Sequence, residues 1–200
     1  MDVKSRREEY AETTRTAIVE AAIAQFTADG FARSSIDAVA ESARVTKGAV
    51  YHHFKDKADL FEAAFVVMEE RLLARVTGGV EGIEDPWELI ARGIDLFLAE
   101  CCEADFRQIA LQEAPAALGW TRWKEIEERY FLGLVAAALD GLVQGGYIDI
   151  PPGDLTARMV LAAMAEAGLA VASATEPETE RQRAGALVMR LLEGLREFAD

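Results

Sequence analysis

The chain has 200 residues, a net charge of −14 and a hydrophobic content of 51%, which is ample for a buried core. No uncharged run of eighteen apolar residues occurs, and the charged N-terminal segment MDVKSRREEY lacks the apolar stretch of a secretory signal. We therefore expect neither a membrane span nor export. The two cysteines, Cys101 and Cys102, are adjacent and form no disulfide framework, so a reducing, cytoplasmic compartment is expected.

The charge is divided unevenly along the chain. Residues 1–60 hold nine Lys and Arg against ten Asp and Glu, a net charge of −1. Residues 61–200 hold twelve basic and twenty-five acidic side chains, a net charge of −13. Only the first part of the chain could therefore approach a polyanion such as nucleic acid without strong repulsion.

Apolar residues recur at helical spacing along nearly the whole chain, and strand-like alternation is hard to find. Helix starts are marked by Ser34 with Asp37, by Asp56 with Asp59, and by Asp85 before a first-turn proline. Glycine and proline clusters mark loops at Asp29-Gly30, Gly78-Gly79, Gly145-Gly146 and Pro151-Pro152-Gly153. An all-α fold is predicted, with helices near residues 14–28, 35–42, 46–53, 57–76, 86–102, 104–113, 121–144, 154–174 and 178–198.

The second and third predicted helices are separated only by Ala43-Arg44-Val45, a spacing typical of a helix-turn-helix unit. In that arrangement the second helix of the pair can enter a DNA major groove. Apolar residues at the inward positions support the interpretation, because three short helices need a shared core. The predicted core of this unit consists of Ile18, Ala22, Phe26, Ile36, Val39, Ala40, Val45, Val50 and Phe54.

The outward face of the third helix, within the segment TKGAVYHHF at residues 46–54, has the chemistry of a phosphate-binding surface. Thr46 can cap the helix, and Gly48 leaves the backbone open to a phosphate at the positive end of the helix dipole. Lys47 and Tyr51 can contact phosphate oxygens, and His52 can reach a base edge or the backbone. A trihelical unit with a solvated basic edge is the alternative, but it gives no structural reason for this combination of residues.

The region from about Thr14 to Val67, a quarter of the chain, resembles the TetR family of bacterial transcriptional regulators. The resemblance rests on elements whose order and spacing are specific, although each is weak alone. These elements are Phe26, the Asp29-Gly30-Phe31 turn, Ser35-Ile36-x-x-Val39-Ala40, Val45-Thr46-Lys47-Gly48, Val50-Tyr51-x-x-Phe54 and Lys57-x-x-Leu60. The resemblance implies an all-helical homodimer that binds a palindromic operator, usually as a repressor, until a small molecule binds the C-terminal domain.

The resemblance also implies two domains and a set of DNA contacts. A helix-turn-helix DNA-binding domain is expected at residues 12–57, or to about 72 with the start of the fourth helix, and a ligand-binding and dimerisation bundle at 58–200. Ala49 offers only a methyl group, suited to a thymine, so base readout is expected to depend more on DNA shape. The predicted DNA-binding residues are Ser35, Arg44, Thr46, Lys47, Gly48, Ala49, Tyr51, His52, His53, Lys55 and Lys57.

Large apolar side chains lie between the fourth helix and the last two, where the resemblance places a ligand cavity, although such a stripe is also typical of plain core. Glu166 lies alone in an apolar helix and is either a ligand contact or a hydrogen-bonded group at a dimer interface. The cysteines are interpreted as small core side chains, with a thiol sensor as the alternative. The predicted pocket residues are Phe65, Met68, Leu72, Phe97, Cys101, Trp120, Trp123, Tyr130, Phe131, Met164 and Glu166.

The last two predicted helices have the pattern of an interface between subunits. Residues 155–174 are apolar nearly all the way round, and the final helix carries a heptad-like apolar seam from Ala184 to Phe198. Two such helices per subunit could pair about a two-fold axis, and the alternative is that they close the core of the monomer. The predicted interface residues are Met159, Ala163, Ala167, Val188, Leu191, Leu195 and Phe198.

These observations favour a ligand-responsive transcriptional repressor, a bacterial, cytoplasmic and nucleoid-associated homodimer released from DNA by a small hydrophobic molecule. The alternative is a DNA-binding dimer that responds to a protein partner or to no small molecule. An enzyme is disfavoured, because no phosphate loop, nucleophile elbow or Glu-x-x-His pair is present. His52 and His53 point about 100° apart on a helix and cannot share a metal by themselves, and no cofactor is expected.

Overall fold

The structure, a computed structural model of the chain, describes residues 6–149 and 154–198. Within these residues the chain is helical and contains no strand, so the all-α prediction is confirmed. The predicted loop at Pro151-Pro152-Gly153 lies outside the described residues. The elements are α1 (Arg6–Arg33), α2 (Ile36–Ser42), α3 (Lys47–His53), α4 (Lys57–Gly79), α5 (Pro86–Glu100), α6 (Ala104–Phe106), a π-helical segment (Arg107–Glu113), α7 (Ala114–Ala117), α8 (Trp120–Gln144), α9 (Leu155–Ser173), α10 (Pro177–Glu193) and a 3-10 turn (Gly194–Phe198).

Two helices differ from the sequence prediction. Helix α1 starts at Arg6 rather than near residue 14, because Thr13 and Thr14 donate side-chain hydrogen bonds to carbonyls one turn earlier and do not break the helix. The helix predicted near 104–113 is instead a composite of α6, the π-helical segment and α7. A proline at position 115 has no N–H to donate, so a regular α-helical ladder cannot continue through this stretch.

Side-chain caps fix the helix starts in the N-terminal unit. Ser35, rather than the predicted Ser34, caps α2 by accepting a backbone N–H three residues later at 3.2 Å. Ser34 is buried and donates its hydroxyl to the carbonyl of Gly30 at 2.6 Å. Thr46 caps α3 at 3.1 Å and Asp56 caps α4 at 2.9 Å, as the sequence predicts. The starts of α2, α3 and α4 are therefore each set locally by a hydroxyl or carboxylate acceptor.

The predicted core of the N-terminal unit is confirmed, since all nine residues are buried except Val45, which is half-buried. An aromatic cluster extends this core to α4. The ring of Phe61 on α4 meets Phe26 edge-on at 5.0 Å and Phe31 at 5.1 Å between centroids. Each such pair stabilises by about 0.5–1.5 kcal/mol beyond simple area burial, so α4 is firmly attached to α1.

Helix α4 also belongs to the C-terminal bundle. It packs against α1, α5 and α8, while α9 packs against both α8 and α10. Buried side chains such as Met68, Leu98 and Ile126 continue the same core from the N-terminal unit into the bundle. The two parts of the chain therefore share one helix and one continuous hydrophobic interior.

Helix α1 is interrupted at Gly30, whose φ of 75° and ψ of 166° lie in a region that strongly favours glycine. This break is the turn predicted from Asp29-Gly30. The carboxylate of Glu113 accepts a hydrogen bond from the N–H of Phe31, and Gln108 donates to the same carboxylate at 3.0 Å. A Cβ at position 30 would lie 2.5 Å from Oε1 of Glu113, so both backbone conformation and space require glycine.

We predict that Gly30→Ala lowers the free energy of unfolding by about 1–3 kcal/mol, because alanine is strained at this φ and its methyl group displaces the Glu113 carboxylate. The control is Gly133→Ala, at an exposed position inside α8 where a Cβ meets nothing within 4 Å. That control should raise the free energy of unfolding by about 0.5–1 kcal/mol. Urea denaturation measures both variants, and equal effects would contradict the assignment at Gly30.

Candidate DNA interface and ligand cavity

The helix-turn-helix presents one face of α3 to solvent. Val50 and Phe54 anchor the opposite face in the core. The turn before α3 is closed by a hydrogen bond from the N–H of Val45 to the carbonyl of Ala40 at 2.9 Å, with Arg44 in the left-handed region at φ 57°. The exposed residues of α3 and its cap are Thr46, Lys47, Gly48, Tyr51 and His52, and the Tyr51 side chain is 50% exposed.

Lys47 forms an ion pair with a carboxylate of the preceding helix. Its Nζ lies 2.8 Å from Oδ2 of Asp37, and both side chains are more than half exposed. The hydrogen bond and the charge of Asp37 raise the pKa of the Lys47 ammonium, which therefore stays protonated. An exposed pair of this kind is weak in water, so Lys47 can exchange Asp37 for a phosphate oxygen.

His53 and Ala49 are half-buried rather than fully exposed. Burial lowers the pKa of His53, and the neighbouring His52 and Arg15 lower it further, so its imidazole is neutral at pH 7. It adds a hydrogen-bonding group but no positive charge to this surface. Among residues 6–149 and 154–198, no group of three or more His, Cys, Asp or Glu side chains could hold a metal ion.

The resemblance implies a DNA contact for Lys57, but the structure gives this side chain another partner. Its Nζ donates to the carbonyls of Phe31 at 2.7 Å and Ser34 at 3.0 Å, and it lies 4.5 Å from the centroid of the Phe31 ring. Carbonyls at the end of a helix carry partial negative charge, which explains the attraction. Lys57 therefore holds α4 against the end of α1, whereas Ser35, Arg44 and Lys55 remain exposed.

An apolar cavity of about 130 Å³ lies within the C-terminal bundle, between α4, α5, α8 and α9. Four of the predicted pocket residues line it: Leu72, Phe97, Phe131 and Met164. Phe65, Met68 and Cys101 do not, because neighbouring helices of the core cover them completely. Other lining residues, which the sequence pattern does not single out, are Glu69, Val76, Val80, Leu89, Ile90, Gly93, Ile94, Phe106, Leu111, Glu127, Leu134, Val135, Ala138, Leu139, Val160, Leu161, Ala165 and Leu192.

A second cavity of about 60 Å³ adjoins the first. Three other predicted pocket residues, Trp120, Trp123 and Glu166, line this second cavity and not the main one. Glu166 is exposed because it shares an outward face of α9 with Met159. Tyr130 lines neither cavity and donates its hydroxyl to Glu70 at 3.0 Å.

Two carboxyl groups on the wall of the main cavity were not predicted. Glu69 on α4 is only 3% exposed, and burial raises the pKa of its carboxyl well above the usual value, with the charge of Glu127 adding to the effect. Burial raises the pKa of Glu127 on α8 to about 7, while Lys124 lowers it and Glu128 raises it. The two groups are the acidic residues of an otherwise apolar wall.

Helical periodicity could have identified both glutamates. Glu69 occupies the same face of α4 as Phe65 and Leu72, four and three residues away, and both of those are buried. Glu127 lies four residues after Trp123 and four before Phe131 on α8, again along an apolar stripe. The sequence signal for a site residue was therefore an acidic side chain at a position that the apolar pattern assigns to the core.

The cysteines have the character of core side chains. Cys101 is buried, and burial raises the pKa of its thiol well above the usual value; burial also raises the pKa of the half-buried Cys102. Neither sulfur is therefore a thiolate at neutral pH. This agrees with the core interpretation and disfavours the thiol sensor.

The last two helices leave large apolar side chains uncovered. Leu155 and Met159 on α9, and Leu187 and Leu191 on α10, are each more than half exposed. Ala167 and Val188 from the predicted interface are instead buried, because α9 and α10 use those positions to pack within their own chain. Ala163 and Leu195 are half-buried, and the side chain of Phe198 lies outside the described residues.

Among the described helices, α9 is the one long and apolar enough, by length and composition alone, to cross a membrane. The sequence criterion of an uncharged run misses it because the helix contains Arg158 and Glu166. Its apolar surface faces two ways: Met164 and Val171 pack inside the bundle, whereas the stripe containing Met159 faces outward. Only 22% of the apolar stretch of α9 is buried, so this helix leaves an apolar face uncovered.

The raised pKa of Glu127 predicts a specific pH dependence. The folded-state pKa of about 7 exceeds the ordinary value of 4.5, so folding favours the protonated carboxyl of Glu127. The contribution of this carboxyl to the free energy of unfolding is complete below pH 4.5 and is lost as the pH rises through 7. Glu127→Gln should therefore remove about 1–3 kcal/mol of the fall in unfolding free energy between pH 5 and pH 8. Glu125→Gln on the exposed face of α8 should retain the wild-type dependence in the same denaturant titrations.

Comparison with known proteins identifies relatives for both parts of the chain. Residues 18–64 match the model "Bacterial regulatory proteins, tetR family", and residues 87–195 match "Tetracyclin repressor-like, C-terminal domain". The Transposon Tn10 TetC protein of Escherichia coli is 28% identical over 144 residues, which cover 72% of this chain and 73% of that protein.

Solved structures share the fold over nearly the whole length. A TetR-family transcriptional regulator from Pectobacterium atrosepticum has a TM-score of 0.83 and 26% identity, covering 96% of this chain and 97% of its own. RolR in complex with resorcinol has a TM-score of 0.73 and 18% identity, covering 96% of this chain and 95% of its own, a likeness of fold alone. Because the C-terminal model spans more than half of the chain and the helix-turn-helix has its own match, the chain belongs to the TetR family of transcriptional regulators.

Proposed function

We propose that this regulator represses transcription by binding a palindromic operator as a homodimer, and that a small hydrophobic molecule in the main cavity releases it. The observation that carries the proposal is the position of α4, which packs against α1 of the N-terminal unit and also lines the cavity. Such a protein works in the cytoplasm, on the bacterial nucleoid.

The exposed face of α3 supports operator binding through phosphate contacts. Thr46, Lys47 and Gly48 lie at the positive end of the helix dipole, and Tyr51 follows one turn later with an exposed hydroxyl. His52 is the exposed side chain best placed to reach a base edge, and Ala49 is left with a partly covered methyl group. We infer that phosphate positioning and DNA shape dominate recognition.

The uncovered apolar face of α9 and α10 supports dimerisation. Its defining residues, Leu155, Met159, Leu187 and Leu191, form a face of the kind that an isologous two-fold contact would cover. Dimerisation would present two copies of α3 at once. Two recognition helices about one duplex turn apart read a palindrome with far greater specificity than one helix can.

Helix α4 offers a first route of coupling between cavity and DNA. It is 23 residues long, or about 35 Å, and a rod of that length moves its ends together. Leu72 and Val76 line the cavity, whereas Lys57 holds the end of α1 beneath the helix-turn-helix. A ligand that shifts the cavity wall therefore shifts α1, against which α3 packs. A coupling free energy of about 1–3 kcal/mol between ligand binding and DNA binding suffices for regulation.

The π-helical segment offers a second route. Phe106, just before this segment, and Leu111, within it, line the cavity. Glu113, the last residue of the segment, accepts a hydrogen bond from the N–H of Phe31. Short π-helical turns inside helices are frequent at functional sites. Movement at the cavity wall is thereby connected directly to the break at Gly30.

The DNA interface is tested by gel-shift titration of the operator with Lys47→Ala and Tyr51→Ala. Each substitution should weaken binding at least about tenfold, because each subunit of the dimer loses a phosphate contact. Lys124→Ala and Tyr147→Ala remove the same side-chain types from the C-terminal bundle and should leave operator affinity unchanged. Wild-type affinity in the Lys47 and Tyr51 variants would refute this DNA interface.

The dimer interface is tested by Met159→Glu and Leu191→Glu. A carboxylate on either exposed face would be desolvated in the interface, so we expect the dimer to dissociate at micromolar concentration in sedimentation experiments. Val143→Glu places the same charge at an exposed apolar position near the end of α8 and should leave the assembly unchanged. Dimers of undiminished stability in both interface variants would locate the two-fold contact elsewhere.

A further inference from the structure

We propose that the main cavity takes an organic cation, with an apolar body about the size of one ring and a protonated amino group held between Glu69 and Glu127. This inference deepens the proposed function, on which it rests for the regulatory consequence of binding. The cavity and its two acidic residues are observations of the structure itself. The two carboxyl groups favour a positively charged ligand over the other hydrophobic molecules that would fit the cavity.

Glu69 is the central observation. Its side chain is almost completely buried and faces the cavity, and within residues 6–149 and 154–198 it has no hydrogen-bond or ion-pair partner. The titratable groups that face it from other helices are Glu127, Tyr130 and Cys101, none of which is a cation. A buried carboxyl without a partner costs several kcal/mol, so a group that supplies positive charge there is strongly favoured.

The cations nearest to Glu127 are already engaged. Lys124 on the same helix lies 3.9 Å from Glu128, and Arg158 on α9 pairs with both Glu128 and Asp154. These contacts lie on the side of the second cavity, which shares Glu127 with the first. Glu127 and Glu69 both line the main cavity, and no Lys or Arg among the described residues forms part of its wall.

The remaining wall defines the rest of the ligand. Aliphatic and aromatic side chains such as Leu72, Phe97 and Phe131 surround the two carboxyl groups and offer no hydrogen-bonding partner to a polar body. The volume of about 130 Å³ is comparable with the apolar cavities of about 150 Å³ that hold benzene. An anion would be repelled by both carboxylates, and a neutral hydrocarbon would leave both of them buried without compensation.

The protonation behaviour of the pair agrees with this geometry. Burial raises the pKa of both carboxyl groups, and the charge of Glu127 adds to the effect at Glu69, so protonated forms of the two groups are populated near neutral pH. A cation between them favours the ionised forms, so its binding releases protons. Affinity for the cation is therefore expected to rise as the pH increases through about 7.

The test compares benzylammonium with its neutral isostere ethylbenzene, by calorimetric titration of the full-length protein at pH 8. We expect benzylammonium to bind the wild type at least tenfold more tightly than ethylbenzene, and Glu69→Gln with Glu127→Gln to abolish that preference. Ethylbenzene must still bind the double variant, which verifies that the cavity remains folded. Glu70→Gln, next to Glu69 but exposed, should keep the wild-type preference.

Equal affinities of the two probes in the wild type would overturn the proposal, and so would a preference for the ammonium that survives the double substitution. Operator release is measured separately with the same probes. If ethylbenzene displaces DNA while benzylammonium shows no advantage, the proposed regulation stands and the cation assignment fails. If benzylammonium binds through the glutamates without changing operator affinity, the cation site stands and the proposed regulation fails.

Discussion

The structure depends on a single helix, α4, being shared by the N-terminal unit and the C-terminal bundle within one continuous core. Phe61 on α4 completes the aromatic cluster of the N-terminal unit, and Lys57 at the start of the same helix binds the last carbonyls of α1. About three and four turns further along α4, Leu72 and Val76 form part of the wall of the cavity. A packed core is not continuously deformable, so when one end of α4 is displaced, the packing around its other end must also adjust.

The cavity combines two features that stability alone does not explain. It leaves space unfilled in the middle of the bundle, and it places Glu69 and Glu127 on an apolar wall. Both features lower the stability of the empty protein, through lost packing contacts and through desolvation of the carboxyl groups. Positions where a sequence departs from local consistency in this way are those where function is expected.

The exposed surface of the helix-turn-helix is less positive than the residues of α3 indicate. Asp37 neutralises part of the charge of Lys47, burial keeps His53 neutral, and the ammonium of Lys57 is bound to the end of α1. Behind this surface lies a C-terminal part with a net charge of −13. DNA bound at the proposed interface would therefore be held mainly by close, well-placed contacts, since long-range attraction is small.

The sequence by itself determined the features that depend on neighbours along the chain. The caps at Thr46 and Asp56, the turn at Gly30 and the helix-turn-helix spacing involve hydrogen bonds and backbone preferences within a few residues. Only the tertiary structure decided that Val188 faces inward while Leu191 faces outward, and that Glu69 reaches the cavity. Those outcomes depend on how a helix is rotated against partners far away in the chain, and periodicity defines an apolar stripe without defining what will cover it.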